Sequence, residues 1–227
     1  MTESKQPTLQ DPALKALSLL LCYPDAQMRA ALGEVRAVLA ADPRLKGRLA
    51  ADLLRLVDML RQREQLDCEE EYVRLFDRSR ALSLDLFEHV HGEARDRGQA
   101  MVDLLALYER HGFAPATREL PDHLPVFLEF LALRPRDEAR DLLLQTTHIL
   151  GALADRLAER KSPYAAVFQA LVAIAGGRIA MPELATADAP DPGDLAALDR
   201  EWEEQPVTFG TGGCAASGLP RAAGTPG

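Results

Sequence analysis

The chain has 227 residues, of which 47% are hydrophobic and only 5% aromatic, and a formal net charge of -9. That length and apolar content suffice for one sizeable core, and the dominance of Leu and Ala favours helices over strands. An acidic surface repels phosphate backbones, so nucleic acid is excluded as the expected partner and a basic peptide or basic protein patch is favoured.

No β-branched run alternates with period two, so an all-β reading has no support. Cys22, Cys68 and Cys214 lie far apart and form no C-x-x-C. An odd, scattered set argues against a disulfide framework and for a reducing compartment. The opening MTESKQPTLQDP lacks a basic run followed by an apolar one, so no secretory signal is expected. Ala16 to Cys22 is too short an apolar stretch to span a bilayer. The expected location is the cytoplasm, with no membrane span.

In chain order, Asp11-Pro12 predicts a helix start, a capping carboxylate followed by proline at the first helical position. Leu14, Leu17, Leu20 and Leu21 follow on one face. Tyr23-Pro24 ends this helix, because the residue before proline is pushed out of the α region. Asp25 caps the next, with Met28, Leu32, Val35 and Leu39 inward. Asp42-Pro43 repeats the start signal ahead of Leu45, Leu49, Leu53, Leu56, Val57 and Leu60. Asp67 is read as the cap of a shorter helix carrying Tyr72, Leu75 and Phe76. Leu82, Leu86 and Val90 at four-residue spacing predict helix over 80–91, and Gly92 and Gly98 weaken it there. Met101, Leu104, Leu105 and Tyr108 restore an apolar face, which His111-Gly112 terminates.

Asp122 is read as the N-cap of a helix buried along Leu124, Phe127, Leu128 and Leu131, stopped by Arg134-Pro135. Asp137 then caps one helix running from Ala139 to Leu157. Ser162-Pro163 starts the last strong helix, with Val167, Phe168, Leu171 and Ile174, and Gly176-Gly177 ends it. The predicted organisation is all-α. Residues 1–180 form a single helical domain. Residues 181–209 hold a linker and a short terminal helix with Leu195, Leu198 and Trp202. Residues 210–227 are a Gly/Ala/Pro tail expected to be disordered.

Two polar knots interrupt the apolar centre. The first holds Glu88, His89, His91, Glu93, Arg95, Asp96 and Arg97, and the second is Glu119-Leu120-Pro121-Asp122-His123. His89 and His91, two apart on a helix, diverge by about 200° and do not share a metal without local unwinding. No cysteine completes a zinc signature, so the histidines are expected to hydrogen-bond nearby carboxylates. No His-Asp dipeptide and no H-E-x-x-H occurs. The GTGGC at 210–214 lacks the ending of a phosphate loop and follows no strand. Cys22 and Cys68 fall on or beside buried faces, where thiols serve as packing. The knots therefore read either as a solvated, salt-bridged face or as a mixed-charge groove for a partner's amphipathic segment. A helical hydrolase using the His/Asp cluster is the alternative from another class.

The run LFDRSRALSLDLFEHVHGEARDRGQAMVDLLALYERHG, followed by RELPDHLPVFLEFLA, resembles the TorD/NarJ group of redox-enzyme maturation chaperones. Within that group it resembles the assembly chaperones of respiratory nitrate reductase. LLLCYPD at Leu19 to Asp25 and LDREWEEQPVTF near Trp202 carry the same resemblance. It implies a helical bundle of the TorD/NarJ type, cytoplasmic and without catalytic residues. It implies binding of the immature catalytic subunit, partly through its N-terminal segment. The chaperone itself would hold no cofactor stably. The client would be kept competent for insertion of molybdenum bis(molybdopterin guanine dinucleotide) and kept from its membrane anchor. Proteins of molybdenum cofactor biosynthesis are further implied partners, and another molybdoenzyme is the alternative client. The implied client-binding candidates are Glu88, His89, His91, Glu93, Arg95, Asp96, Arg97, Asp122 and His123. Tyr23, Pro24, Pro121 and Pro125 would shape the motifs.

Overall fold

A computed structural model of the protein describes residues 8–90 and 94–177. The expected terminal helix, linker and tail lie outside the described residues. Nine α-helices and no strand occur among those described: α1 (Pro12–Leu20), α2 (Ala26–Ala41), α3 (Gly47–Gln62), α4 (Gln65–Tyr72), α5 (Ala94–Arg110), α6 (Leu124–Ala132), α7 (Arg136–Gln145), α8 (Thr147–Glu159) and α9 (Ala165–Ala175). The expected all-α class is borne out.

The core is built around helices that are apolar on all sides, which only complete burial can satisfy. In α9 every residue except Gln169 and Ala173 is buried, and its most extensive partner is α8. In α6 only Glu129 escapes burial, and it pairs with Lys15 of α1. Gln10 and Asp11 donate backbone N–H groups to Ala132 O at 2.8 and 3.0 Å, and Ser18 Oγ donates to Pro125 O at 2.9 Å. As α1 runs forward, its contacts on α6 run backward, so the two helices are antiparallel.

Asp11 caps α1 as expected, accepting from Ala13 N and Leu14 N. It also receives both terminal nitrogens of Arg44, at 2.6 and 2.7 Å, and this bidentate pair ties the α2–α3 connection to the start of α1. That explains why Asp42 is not the start of α3. It ends α2 and binds Arg44 through its carboxylate, while α3 begins four residues beyond Pro43, after Lys46. Asp25 caps α2 as expected, accepting from Met28 N at 2.7 Å. Asp67 and Asp137 are not caps: they lie inside the first turns of α4 and α7, where a carboxylate still favours the positive helix end. The single helix expected from Ala139 to Leu157 is two, α7 and α8, broken at Thr146, whose hydroxyl donates to Leu143 O.

The largest departure is at residues 80–91. Instead of a helix, α4 opens into a π-helical turn, Val73–Asp77, followed by 3₁₀ turns at Arg80–Leu82 and Leu86–His89. Leu82 and Leu86 are buried, but Val90 is half exposed, at 50%. Helix α5 passes straight through Gly98, and Gly112, at φ +65°, supplies the left-handed turn after it. Gly176, at φ +73°, ends α9 in the same way.

Candidate functional site: an acidic pocket beside a chain crossing

The short 3₁₀ turns exist because another segment completes them. Leu86 N donates to Asp122 O at 3.1 Å and Leu124 N to Leu84 O at 2.8 Å, an isolated antiparallel bridge centred on Asp85 and His123. Side chains reinforce the crossing. Asp122 is wholly buried, and its Oδ2 accepts from Phe87 N at 2.8 Å. It is therefore a cross-link and not the N-cap of α6; that place belongs to His123, whose side chain caps nothing. Asp122 Oδ1 accepts no hydrogen bond among the described residues. Burial pushes its carboxyl above the usual range, the Phe87 N–H opposes this, Asp85 adds to it and Arg97 counters it.

His123 donates from Nδ1 to Asp85 Oδ1 at 3.0 Å, which matches the expected pairing with a carboxylate. His89 does not: its Nε2 donates to the backbone carbonyl of Ser83 at 2.9 Å and closes the turn. No group of three or more His, Cys, Asp or Glu among the described residues could hold a metal ion. Pro121 serves through its carbonyl, which accepts from the Tyr108 hydroxyl at 2.7 Å. Pro125 is buried and contributes its carbonyl to Ser18.

Beside this crossing lies a cavity of about 370 Å³. Its walls carry Asp77, Asp85, Glu88 and Glu119, with Arg80 and His123 opposing them. Tyr72 and Phe76 contribute aromatic surface. Tyr72 is fixed by its hydroxyl on Leu21 O at 2.8 Å and by ring contacts with Tyr23 and Phe76. Phe76 meets Tyr164 edge-on. Arg156 of α8 holds the 3₁₀ turn at its side by donating to Ala81 O. The π turn places Phe76 and Asp77 together at the cavity; such turns often occur where a site needs irregular backbone. Partial burial pushes the Asp77 carboxyl up, Glu119 adds to this, and His123 opposes it. Two exposed apolar residues, Val90 and Leu120, lie close in sequence to Glu88 and Glu119.

Of the sequence-derived candidates, Glu88 and His123 line the pocket. Asp122 stands behind it as support. Arg97 is half-buried and donates to Glu88 at 3.1 Å, while Asp96 is exposed. His91, Glu93 and the side chain of Arg95 lie outside the described residues. Tyr23 is exposed on the outer side of Tyr72, and Pro24 is buried beside it. Asp77, Asp85 and Arg80 were missed, and Glu119 was seen only as part of its knot. Their common signal was a cluster of polar breaks between Phe76 and Phe87, which four-residue apolar spacing concealed. Cys68 is buried and Cys22 half-buried, and burial raises the Cys22 thiol to about 11, which makes it a poor nucleophile.

The comparisons agree with this architecture. The family model of the nitrate reductase delta subunit matches residues 42–170. The nitrate reductase molybdenum cofactor assembly chaperone NarJ of Escherichia coli K12 is 46% identical over 198 residues, covering 86% of this chain and 84% of NarJ. The NarW counterpart of the same organism is 40% identical over 198 residues, with 86% and 83% covered. A NarJ of Bacillus subtilis is 33% identical over 158 residues, with 70% and 85% covered. A crystal structure from Archaeoglobus fulgidus, described as a redox enzyme maturation protein, shares the fold with a TM-score of 0.50 and 24% identity, covering 75% of this chain and 95% of that one. With more than half its length matched by the family model and a relative at 46% identity over most of both chains, the chain belongs to the nitrate reductase delta subunit family, that of the NarJ-type assembly chaperones.

Proposed function

We propose that the protein is a maturation chaperone of respiratory nitrate reductase and not an enzyme. It binds the immature catalytic subunit, partly through that subunit's N-terminal segment, and keeps it open for insertion of molybdenum bis(molybdopterin guanine dinucleotide) before membrane docking. Its relatives are named as molybdenum cofactor assembly chaperones. No helix among the described residues is long and apolar enough to cross a membrane, which accords with action in the cytoplasm. Contact with proteins of molybdenum cofactor biosynthesis belongs to the same reading.

One observation carries the binding mode. Four carboxylates face one arginine and one histidine around an aromatic-walled cavity, with exposed Val90 and Leu120 nearby in sequence. A cationic side chain finds charge there and an apolar neighbour finds cover, so the arrangement fits a basic amphipathic segment. His91, Glu93, Arg95 and Asp96 are kept as candidates for the client's path beyond the pocket.

Calorimetric titration with a peptide of the catalytic subunit's N-terminus tests this. Saturable binding that weakens with salt is expected. Glu119→Gln or Asp77→Asn should each weaken it about tenfold, a change of about 1.4 kcal/mol, at nearly unchanged melting temperature. Absence of binding at low salt, or indifference to both substitutions, would remove the pocket from the reading.

A further inference from the structure

We infer that Arg97 is an internal occupant of the client site, a guanidinium that holds Glu88 until a client cation takes its place. The inference rests on the reading of the acidic pocket as the site for a basic client segment, and it adds a competing residue from within the chain.

Glu88 belongs to the 3₁₀ turn Leu86–His89 and lines the pocket, whereas Arg97 belongs to α5. Their 3.1 Å ion pair is largely shielded, the two side chains being 27% and 21% exposed. Partial burial lifts such a pair above the value of a surface salt bridge. Arg97 thereby offsets, through Glu88 Oε1, charge that an incoming cation would otherwise meet. The remaining pocket carboxylates, Asp77, Asp85 and Glu119, share the pocket wall with one arginine, Arg80, and with His123, which hydrogen-bonds Asp85.

Helix α5 is built to let Arg97 go. Its firm anchorage is in its C-terminal half, where half-buried Leu104 and Leu107 pack against the core. Tyr108 is buried with its hydroxyl on Pro121 O, and its ring meets Phe113 and Phe130. Just beyond the helix, His111 Nδ1 accepts from Arg134 at 2.6 Å. Before Tyr108, Arg97 is the one described side chain of α5 that hydrogen-bonds to another element. Asp96, Gly98, Gln99, Val102 and Asp103 are exposed. Loss of the Arg97–Glu88 pair therefore loosens the first turns of α5 and leaves the Tyr108 end in place. The charge of Arg97 also counters the upward push on the buried Asp122 carboxyl, which gives a purely structural alternative for the same residue.

The full-length chain and its Arg97→Gln, Arg97→Ala and Glu88→Gln variants distinguish the two roles. Amide hydrogen exchange without ligand should rise about tenfold or more over residues 96–103 in all three variants and stay unchanged over 108–113. In the wild type, the catalytic subunit's N-terminal peptide should produce the same rise. The peptide should bind Arg97→Gln and Arg97→Ala about tenfold more tightly than wild type, since nothing has to be displaced. Equal or weaker binding by both Arg97 variants, with wild-type binding intact, would overturn the inference and leave Arg97 as structural support for Asp122. A blocked Arg-Arg dipeptide serves as a second probe. If it releases the first turns of α5 while the catalytic subunit's N-terminal peptide binds no variant, the competition stands and the client assignment falls. If neither probe binds, both fall.

Discussion

Helices α5 and α6 lie in consecutive parts of the chain and could hardly be used more differently. Helix α6 has nine residues, eight of them buried. Helix α5 has seventeen, and among its described side chains only Tyr108 is buried. The sequence LPVFLEFLA leaves α6 no face for water, so it must sit between α1 and its other neighbours. The sequence of α5 mixes Arg, Asp and Gln with Val and Leu and can tolerate an open face. One helix therefore carries the fold. The other is held at one end and faces the polar crossing with the rest. On the proposed reading chaperoning uses both, because a site that accepts and releases a client cannot itself be a core element.

The sharpest break in that comparison is Phe130→Ala. The Phe130 ring contacts Tyr108, Phe113 and His111, and Arg134 stacks over it at 5.2 Å. It is thus the point where α6 anchors the end of α5. Removing a fully buried phenylalanine costs about 3–5 kcal/mol through lost burial and the cavity left behind. Chemical denaturation should show that loss, together with faster hydrogen exchange along the whole of α5. A loss below about 1.5 kcal/mol, the range of tolerated core swaps, would mean that α5 does not depend on this anchor.

Asp122 comes next. Asp122→Ala removes the acceptor of the Phe87 N–H inside the crossing and should cost about 1–3 kcal/mol. Asp122→Asn keeps an acceptor and removes the charge, and here pH decides. Burial holds the folded-state carboxyl pKa above its unfolded value. The stability this group contributes is therefore complete below the unfolded carboxylate pKa and is lost as pH rises toward the folded one. Asp77 is shifted in the same direction but is common to both proteins and cancels in their difference. The melting temperature of Asp122→Asn relative to wild type should thus climb from pH 4 to pH 7. A flat difference across that interval would show that Asp122 titrates as if exposed.

These residues also mark how far the sequence could be read. Leucine spacing located α1, α2, α3, α6 and α9, and Asp11 and Asp25 were recognisable as caps because a cap is local: a carboxylate, then two or three free N–H groups. Asp122 has the same local look and a different role. Its acceptor is spent on Phe87, 35 residues away in the chain, and no window of sequence reports that partner. The same holds for residues 80–91. Their spacing is helical, but pairing with the Asp122–Leu124 backbone outweighs propensity. Asp77 and Asp85 became pocket residues only through that pairing and the π turn before it. The resemblance carried by the two polar knots located the region, and of its candidates Glu88 and His123 reach the pocket wall.

The smallest expected effect is the most telling for the comparison. Leu105 belongs to the apolar face that spacing predicts for α5, and it is 41% exposed. Alanine is at least as good a helix former as leucine, and substitutions away from packed features stay within about 0.5 kcal/mol. Leu105→Ala should therefore leave the denaturation midpoint almost where it was, although the same change at Leu128, fully buried in α6, removes a core side chain. A loss of 2 kcal/mol or more at Leu105, roughly that of a buried leucine, would mean that the outer face of α5 is covered in solution. The contrast between a core helix and an open one would then disappear. A release of α5 by displacement of Arg97 would have to work against that cover as well as against a single ion pair.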